Sequence, residues 1–382
     1  MLERFRVDGF VAILCCLTLA GCGGVTRAGV GAGYTPAVES LPPNGAARSG
    51  MATSTLPILT DTSSSTSGVF FGIACGAHAA VACPNFASTF RAGIAFGTTY
   101  ASWDNDLAQF ITAYGINTWP SQGIVPEITW QPTQSGGTVT FTGINNGLYD
   151  GYLKKSADEL RAFGSPVFLR PFHEFNGKWY PWGLANQVAS MSTDAAFVQA
   201  WRRIRTIFSQ EGASNVKFIW CFSRTSIQSN TVGAWDYPPN SYPGDQYVDW
   251  IGFDSYNHAT GTSGTWQTFD QTVAKSYALA VSISGKKPVM WAEGATNEYG
   301  DGGAMKAGWV NAMFSELSSG SNPYPNLRAI TWFETDTSTY AYDSMSTSPV
   351  YNAFVNDLRA TASNGVLYFR SNGSAFAGLT AP

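Results

Sequence analysis

The chain has 382 residues, which is enough to bury one large domain or two ordinary ones. Its formal net charge of −4, with 22 lysines and arginines, supplies no basic face and argues against nucleic acid as a partner. Charged residues make up 13% and aromatic residues 14%, with 13 tryptophans among them. This aromatic excess indicates that some rings line a binding cleft, although any single ring can equally belong to the core.

The first 22 residues have the pattern of an export signal. Two arginines precede an apolar run over residues 10–19 that is too short to span a bilayer comfortably. The run ends in Leu19-Ala20-Gly21-Cys22, which resembles the lipobox of bacterial lipoproteins. The resemblance implies that Cys22 is acylated and that the protein is exported to the cell surface or outer membrane, with the lipid as its only membrane contact. The alternative is an ordinary secretory signal, cut near Ala20 or later in the chain.

Residues 23–66 are rich in Gly, Ala, Ser, Thr and Pro without a sustained apolar period, and this predicts a disordered linker. We assign residues 67–362 to one catalytic domain and residues 363–382 to a C-terminal tail without a predicted role. Export permits disulfides, so Cys75 and Cys83 could be bridged. Cys221 lies in an apolar run, which predicts a buried free thiol.

Eight short apolar runs predict buried strands. They cover residues 69–74, 92–96, 123–130, 166–172, 216–222, 247–254, 288–292 and 327–333. Helical apolar spacing separates most of them, at residues 147–163, 193–210, 265–284 and 304–318. Eight such strands alternating with helices predict an α/β fold with a parallel sheet, closed into a (β/α)₈ TIM barrel. An open doubly wound sheet is the alternative.

Two of the predicted strands are followed closely by a glutamate. The fourth continues into a polar, aromatic segment that contains Glu174, and Glu293 directly follows the seventh. Strand ends of a (β/α)₈ barrel open onto its catalytic face. Glycoside hydrolysis requires such a pair, one carboxyl group to protonate the leaving oxygen and one carboxylate to attack the anomeric carbon. For Glu174 alone, a salt bridge with Arg170 that closes the barrel top is an equally good interpretation.

The two segments resemble glycoside hydrolase family 26, a retaining family of (β/α)₈ barrels. The resemblance rests on the His-Glu-x-Asn-Gly-x-Trp pattern at residues 173–179, on residues 242–256 and on residues 330–333. It implies that Glu174 is the acid/base and Glu293 the nucleophile. It further implies a set of substrate-binding or orienting residues, namely His173, Asn176, Trp179, Tyr256, Trp332, Trp182 and Arg170. Tyr256 would hydrogen-bond the nucleophile, and Trp179 and Trp332 would shape the sugar subsite.

The predicted function is therefore a retaining glycoside hydrolase that cleaves a β-linked polysaccharide, with endo-β-1,4-mannanase as the first choice by family frequency. The segment Tyr180-Pro181-Trp182 departs from the more continuous aromatic run of many mannanases. Mixed-linkage β-glucan, β-1,3-xylan or an exopolysaccharide thus stay open as substrates, and a glycan-binding lipoprotein without activity is an alternative of another class.

The sequence lacks the residues that zinc hydrolases and serine hydrolases require. His173-Glu174 begins like a His-Glu-x-x-His zinc motif, but the fifth position is Gly177, and the chain has three histidines without ligand spacing. The chain has no Gly-x-Ser-x-Gly elbow of a serine hydrolase. We expect no metal and no cofactor, and we expect a monomer.

Overall fold

The computed structural model describes residues 68–74, 83, 89–90, 92–135, 137–186, 193–224, 237–318, 322–337, 340–344, 346–364 and 367–368, and the side chains as far as residue 360. The predictions on the signal peptide, on Cys22, on the linker and on Cys75 lie outside these residues. Cys83 is buried and disulfide-bonded. Cys221 is a buried free thiol, as predicted.

Eight parallel strands form a closed barrel. They are β1 (Val69–Ala74), β2 (Phe96–Ser102), β3 (Val125–Gln131), β4 (Val167–Pro171), β5 (Val216–Ser223), β6 (Trp250–Asp254), β7 (Val289–Gly294) and β8 (Leu327–Phe333). Each strand pairs with its neighbour in chain order, and β8 pairs with β1. This last pairing closes the sheet, which confirms the (β/α)₈ barrel and excludes the open doubly wound sheet.

The helices cover the outside of the barrel. They are α1 (Leu107–Ala113), α2 (Phe141–Asn145), α3 (Asp150–Phe163), α4 (Thr193–Gln210), α5 (Phe269–Ile283), α6 (Ala304–Ser318) and α7 (Ser348–Asn364). Short 3-10 turns lie at Ile116–Thr118, Pro120–Gln122, Leu184–Asn186, Pro238–Ser241 and Asp245–Tyr247. The bounds of α4 and α6 are those predicted from the sequence. Helix α5 begins four residues after its predicted start, because Thr268 and Gln271 form a capping box there.

The second strand was placed too early in the sequence. Residues 92–96 were predicted, whereas β2 begins at Phe96 and continues to Ser102. The rest of the strand was missed because Thr98 and Thr99 are polar residues. Both are nevertheless buried, and the Thr98 hydroxyl donates to Glu127 at 2.9 Å. A buried polar side chain that has a hydrogen-bond partner is compatible with a core strand, but its partner cannot be read from the local sequence.

Alternate residues of each strand pack on opposite sides of the sheet. On β1, Val69, Phe71 and Ile73 belong to the large core between the strands and the helices, whereas Phe70 belongs to a smaller cluster inside the barrel. Gly72 faces the same interior, and a Cβ atom there would lie 2.5 Å from the Phe96 ring. The Phe96 ring thus occupies the volume that any side chain at position 72 would need.

Near the C-terminus, α7 continues to Asn364, and Leu367–Tyr368 pairs with Val69 and Phe70 of β1. This pair falls within residues 363–382, which we assigned to the C-terminal tail. Among the described residues, no helix is long and apolar enough to cross a membrane.

The packing of α3 on the barrel predicts a stability difference between two identical substitutions. Leu160 of α3 is fully buried, whereas Leu148, which precedes the helix, is 74% exposed. We expect Leu160→Ala to lower the free energy of unfolding by about 2–5 kcal/mol, because it leaves a cavity. Leu148→Ala should change it by less than about 0.5 kcal/mol. Urea denaturation followed by tryptophan fluorescence measures both; equal losses would show that α3 does not pack as described.

Candidate active site

The two glutamates lie at the carboxyl ends of strands that are not neighbours. Glu174 follows β4, and Glu293 is the second-last residue of β7, with β5 and β6 between them in the sheet. In a (β/α)₈ barrel this face is formed by the loops after the strands, and here both carboxyl groups lie at the same end of the barrel. The structure therefore brings together the pair that the sequence predicted.

The backbone after β4 turns sharply through two residues in the left-handed region. Phe172 has φ 53° and Glu174 has φ 54°, and they are the only residues other than glycine with positive φ in the described part of the chain. The Glu174 amide donates to the Cys221 carbonyl oxygen on β5 at 3.1 Å, and this bond fixes the turn against the next strand. The conformation costs about 1–3 kcal/mol per residue, so the surrounding contacts must impose it.

Glu174 has the surroundings of a carboxyl group that keeps its proton near neutral pH. The Trp179 indole N–H donates to its Oε2 at 2.6 Å, and the Ser223 side chain is also a hydrogen-bond partner. Desolvation by the surrounding protein, and then the nearby charge of Glu293, raise the pKa of Glu174 to about 7. Both hydrogen bonds act in the opposite direction, but they are the weaker influence.

Asn176 acts on Glu174 indirectly. Its side-chain oxygen accepts from the Ser223 amide at 2.8 Å, and its side-chain nitrogen donates to the Ser223 carbonyl oxygen at 2.9 Å. Asn176 is fully buried, and this pair of bonds clamps the end of β5 beside the acid. Of the two roles predicted for Asn176, the geometry fits the orientation of the acid.

Glu293 has the opposite environment. It is 6% exposed, and its carboxylate accepts hydrogen bonds from Tyr256 Oη at 2.9 Å, from Tyr100 Oη at 2.8 Å and from the Arg170 guanidinium. Burial alone would raise the pKa of Glu293, but the Arg170 charge and the donated hydrogen bonds outweigh it and hold that pKa below its usual value. The predicted contact between Tyr256 and Glu293 is present.

Arg170 is the centre of a buried ionic cluster. Its guanidinium lies 3.0 Å from Glu127 on β3 and 3.1 Å from Asp254 on β6, and it also pairs with Glu293 on β7. The side chain is fully buried. Both sequence interpretations of Arg170 therefore need correction. In the described part of the chain it forms no salt bridge with Glu174, and it lies beneath the carboxylates instead of facing a substrate.

Asp254 shares this cluster with Cys221. The Cys221 thiol donates to the Asp254 carboxyl group at 3.2 Å. Burial, and then the Glu293 charge, raise the pKa of Asp254 well above its usual range. Burial likewise raises the pKa of Glu127 to about 7. Of the three carboxyl groups around Arg170, Glu293 is the one whose pKa is held below its usual value.

His173 directly precedes Glu174 in the sequence, is fully buried, and lies near enough to Glu293 to sense its charge. Its ring lies 4.6 Å from the Tyr180 ring and 6.2 Å from the Tyr100 ring, measured between centroids. Neither ring nitrogen has a hydrogen-bond partner among the described residues. Burial lowers the pKa of His173 to about 3, so the imidazole is neutral at ordinary pH. A buried polar ring of this kind is suited to bind a ligand hydroxyl.

Two of the predicted subsite tryptophans do not face the cleft. Trp182 is 1% exposed and stacks behind Tyr180 at 4.3 Å, with its N–H donating to the His173 carbonyl oxygen at 2.8 Å. Trp332 is also 1% exposed and packs on Phe354 of α7 at 4.8 Å. Strand alternation explains the second error, because the next residue, Phe333, is the partly exposed one and packs against Tyr256 at 5.9 Å.

The sequence did not single out Tyr100, Glu127 or Asp254. Tyr100 lies in the part of β2 that was not predicted as strand. Glu127 and Asp254 lie within predicted strands, where an isolated carboxylate in an apolar run is a usable signal of a buried charged partner. The described residues contain no cluster of three or more His, Cys, Asp or Glu that could hold a metal ion.

Comparison with known proteins agrees with this geometry. Residues 137–318 match the family model described as Glycosyl hydrolase family 26, and this segment includes Glu174 and Glu293. Endoglucanase H of Acetivibrio thermocellus is 32% identical over 236 residues, which cover 61% of this chain and 24% of that protein. A mannan endo-1,4-beta-mannosidase of Bacillus subtilis is 32% identical over 108 residues, covering 27% of this chain and 28% of that protein.

Solved structures share the fold. A family 26 β-mannanase from Bacteroides ovatus superposes with a TM-score of 0.52 at 16% identity and covers 80% of this chain and 91% of that one. An endo-β-1,4-mannanase double mutant from Cellulomonas fimi gives 0.55 at 18% identity and covers 79% and 72%. The first curated relatives are much longer, and the matched segments span about a quarter of their length or less. The match to this family model thus covers the segment that contains both glutamates of the barrel mouth, and the fold is that of solved family 26 mannanases.

Proposed function

We propose that the protein is a retaining glycoside hydrolase that cleaves a β-linked polysaccharide. The observation that carries the proposal is the contrast between two carboxyl groups at one barrel mouth. The pKa of Glu174 is raised to about 7, and the pKa of Glu293 is held below its usual value. When two carboxyl groups have such different environments, the one with the raised pKa can act as the acid and the ionised one as the nucleophile.

The reaction proceeds in two steps. In the first, the Glu293 carboxylate attacks the anomeric carbon and forms a glycosyl ester, while Glu174 gives its proton to the leaving glycosidic oxygen. In the second, Glu174, now ionised, takes a proton from water, whose oxygen attacks the same carbon and releases the Glu293 carboxylate. Arg170, Tyr100 and Tyr256 hold the attacking oxygens in place throughout.

As substrate we propose a β-1,4-linked mannan. Several relatives in the comparison carry the name mannan endo-1,4-beta-mannosidase, which supports this choice. A β-glucan is the second candidate, because a relative matched over 61% of this chain is named Endoglucanase H. A glycan-binding protein without activity would not need two carboxyl groups with opposite pKa shifts, so we regard it as the weaker hypothesis.

Removal of either glutamate tests the roles. We expect Glu293→Ala to reduce reducing-sugar release from mannan, glucomannan, mixed-linkage β-glucan or β-1,3-xylan at least about 10³-fold, because the step has no other nucleophile. Glu174→Ala should reduce it about 10²–10⁴-fold. The loss of activity of Glu174→Ala should be smaller on an aryl glycoside, because a good leaving group needs no protonation. The matched control is Glu211→Ala, at the opposite end of the barrel after α4. Activity of Glu293→Ala near the wild-type level would refute the assignment.

The pKa shifts predict the shape of the pH profile. Glu174 must be protonated and Glu293 ionised, so kcat/KM should fall as the pH rises through about 7 and should fall again below the usual carboxyl range. The Trp179 hydrogen bond lowers the pKa of Glu174, so Trp179→Phe should move the alkaline limb to higher pH. The measurement is kcat/KM from pH 3 to 10 for both proteins. An alkaline limb that moves to lower pH would contradict this role of Trp179.

We also propose that the protein is exported, is anchored by a lipid on Cys22 and acts as a monomer. The lipobox-like segment after the apolar run supports the anchor. In a bacterial host, radiolabelled palmitate should be incorporated into the wild-type chain and not into Cys22→Ser. Label that persists in the variant, or a mature wild-type chain that begins at another residue, would exclude the anchor.

A further inference from the structure

A group of five rings extends outward from the nucleophile. It consists of Tyr256, His258, Phe333, Tyr340 and Tyr342, and we call it the outer ring cluster. Tyr256, which donates to Glu293, stacks on His258 and on Tyr342, each with a centroid distance of 5.3 Å. Tyr340 in turn lies 4.5 Å from His258 and 5.7 Å from Tyr342. The rings thus form a continuous contact path from the site of attack to the surface.

The burial of these rings differs along the path. Tyr342 is 2% exposed, and its hydroxyl lies 2.6 Å from His258 Nδ1. Tyr256, His258, Phe333 and Tyr340 are partly exposed. Tyr342 therefore backs the cluster, and Tyr340 and His258 present accessible ring area beyond Tyr256. Partly exposed rings that are held by a buried one are suited to pack against a ligand.

Polar side chains, of which Asn297 and Lys306 are buried, fix the loop that carries Tyr340 and Tyr342. The Asn297 side-chain oxygen accepts from the Ala341 amide at 2.8 Å, and Asp336 accepts from the Tyr342 amide at 2.7 Å. The Lys306 ammonium donates to the carbonyl oxygens of Ala341 at 3.0 Å and Asp343 at 2.9 Å.

Lys306 is unusual among the residues that hold this loop, because its charged side chain is fully buried. Its side chain is fully buried in the first turn of α6 and lies 3.4 Å from Glu298. Burial of an ammonium group is unfavourable unless its hydrogen bonds are satisfied, and this lysine satisfies them on the backbone of the ring-bearing loop. Because the loop is held in place before any ligand arrives, little conformational entropy is lost when a ligand packs on it.

We propose that Tyr340 and His258 form a sugar-binding subsite, separate from the site of cleavage, for one pyranose unit of the β-linked polysaccharide. The inference rests on the proposed function. The C–H face of the pyranose packs on the Tyr340 ring, the Tyr340 hydroxyl hydrogen-bonds a sugar hydroxyl, and the His258 ring, 4.5 Å from Tyr340, adds ring surface beside it. Lys306 is a positioning residue that acts through the loop.

Kinetics on long and short substrates test the subsite. For Tyr340→Ala we expect kcat/KM on the polysaccharide to fall about tenfold, mainly through KM. The loss on an aryl glycoside of the single sugar should be about tenfold smaller, because that substrate does not reach the subsite. Tyr114→Ala, a partly buried tyrosine at the end of α1, should change neither. Equal losses on both substrates, or no loss on the polysaccharide, would overturn the subsite.

A binding measurement separates failure of the subsite from failure of the proposed function. Calorimetry with tetrasaccharides of mannan and of mixed-linkage glucan, on a Glu293→Ala background, should show about tenfold weaker binding when Tyr340→Ala is added. Unchanged affinity overturns the subsite alone, whatever the wild-type activity. Absence of both hydrolysis and binding by the wild-type chain overturns the proposed function and the subsite together.

Lys306→Met provides a second variant. It leaves two loop carbonyls without their donor, so we expect the same KM effect on the polysaccharide in a protein whose circular dichroism is that of the wild type. A folded Lys306→Met with unchanged KM would show that Lys306 does not position the subsite. If this variant fails to fold, Tyr340→Ala still decides the inference.

Discussion

One guanidinium inside the barrel organises the catalytic end. Arg170 on β4 pairs with carboxyl groups from β3, β6 and β7, and all of these side chains are buried. Removal of a partner from a buried ion pair leaves an uncompensated charge, at a cost of about 3–5 kcal/mol. The cluster therefore fixes the strands relative to one another at the level where the nucleophile emerges. It also supplies the positive charge that keeps Glu293 ionised beside two other carboxyl groups.

The divergent acidity of the two glutamates follows from this arrangement. Glu293 lies in the cluster and receives three donated hydrogen bonds, whereas Glu174 lies above it and contacts Trp179 and Ser223. The negative charge that Arg170 stabilises on Glu293 is itself a reason why Glu174 keeps its proton. The two pKa values are thus linked, and a change at Arg170 acts on both.

Much of this structure could be predicted from the sequence because parallel barrel strands are buried on both faces and appear as apolar runs. The two glutamates stood out because each closely follows such a run. The errors have physical reasons. Part of β2 was missed because Thr98 and Thr99 are polar although buried, and the Thr98 hydroxyl donates to Glu127 on the neighbouring strand. Which of Trp332 and Phe333 faces the cleft depends on strand phase. Arg170 could be paired with its neighbour Glu174 or with carboxylates distant in the sequence, and only the fold distinguishes these choices.

The left-handed backbone at Phe172 and Glu174 has a consequence for directed evolution of this protein. Glycine adopts that conformation without steric cost, and asparagine adopts it more readily than phenylalanine or glutamate does. Substitutions that relax the backbone there relieve strain, but at position 174 they also remove the acid. A library screened for heat resistance alone is therefore drawn towards inactive proteins at this turn, as expected where stability and activity oppose each other. Such a screen must retain a turnover assay.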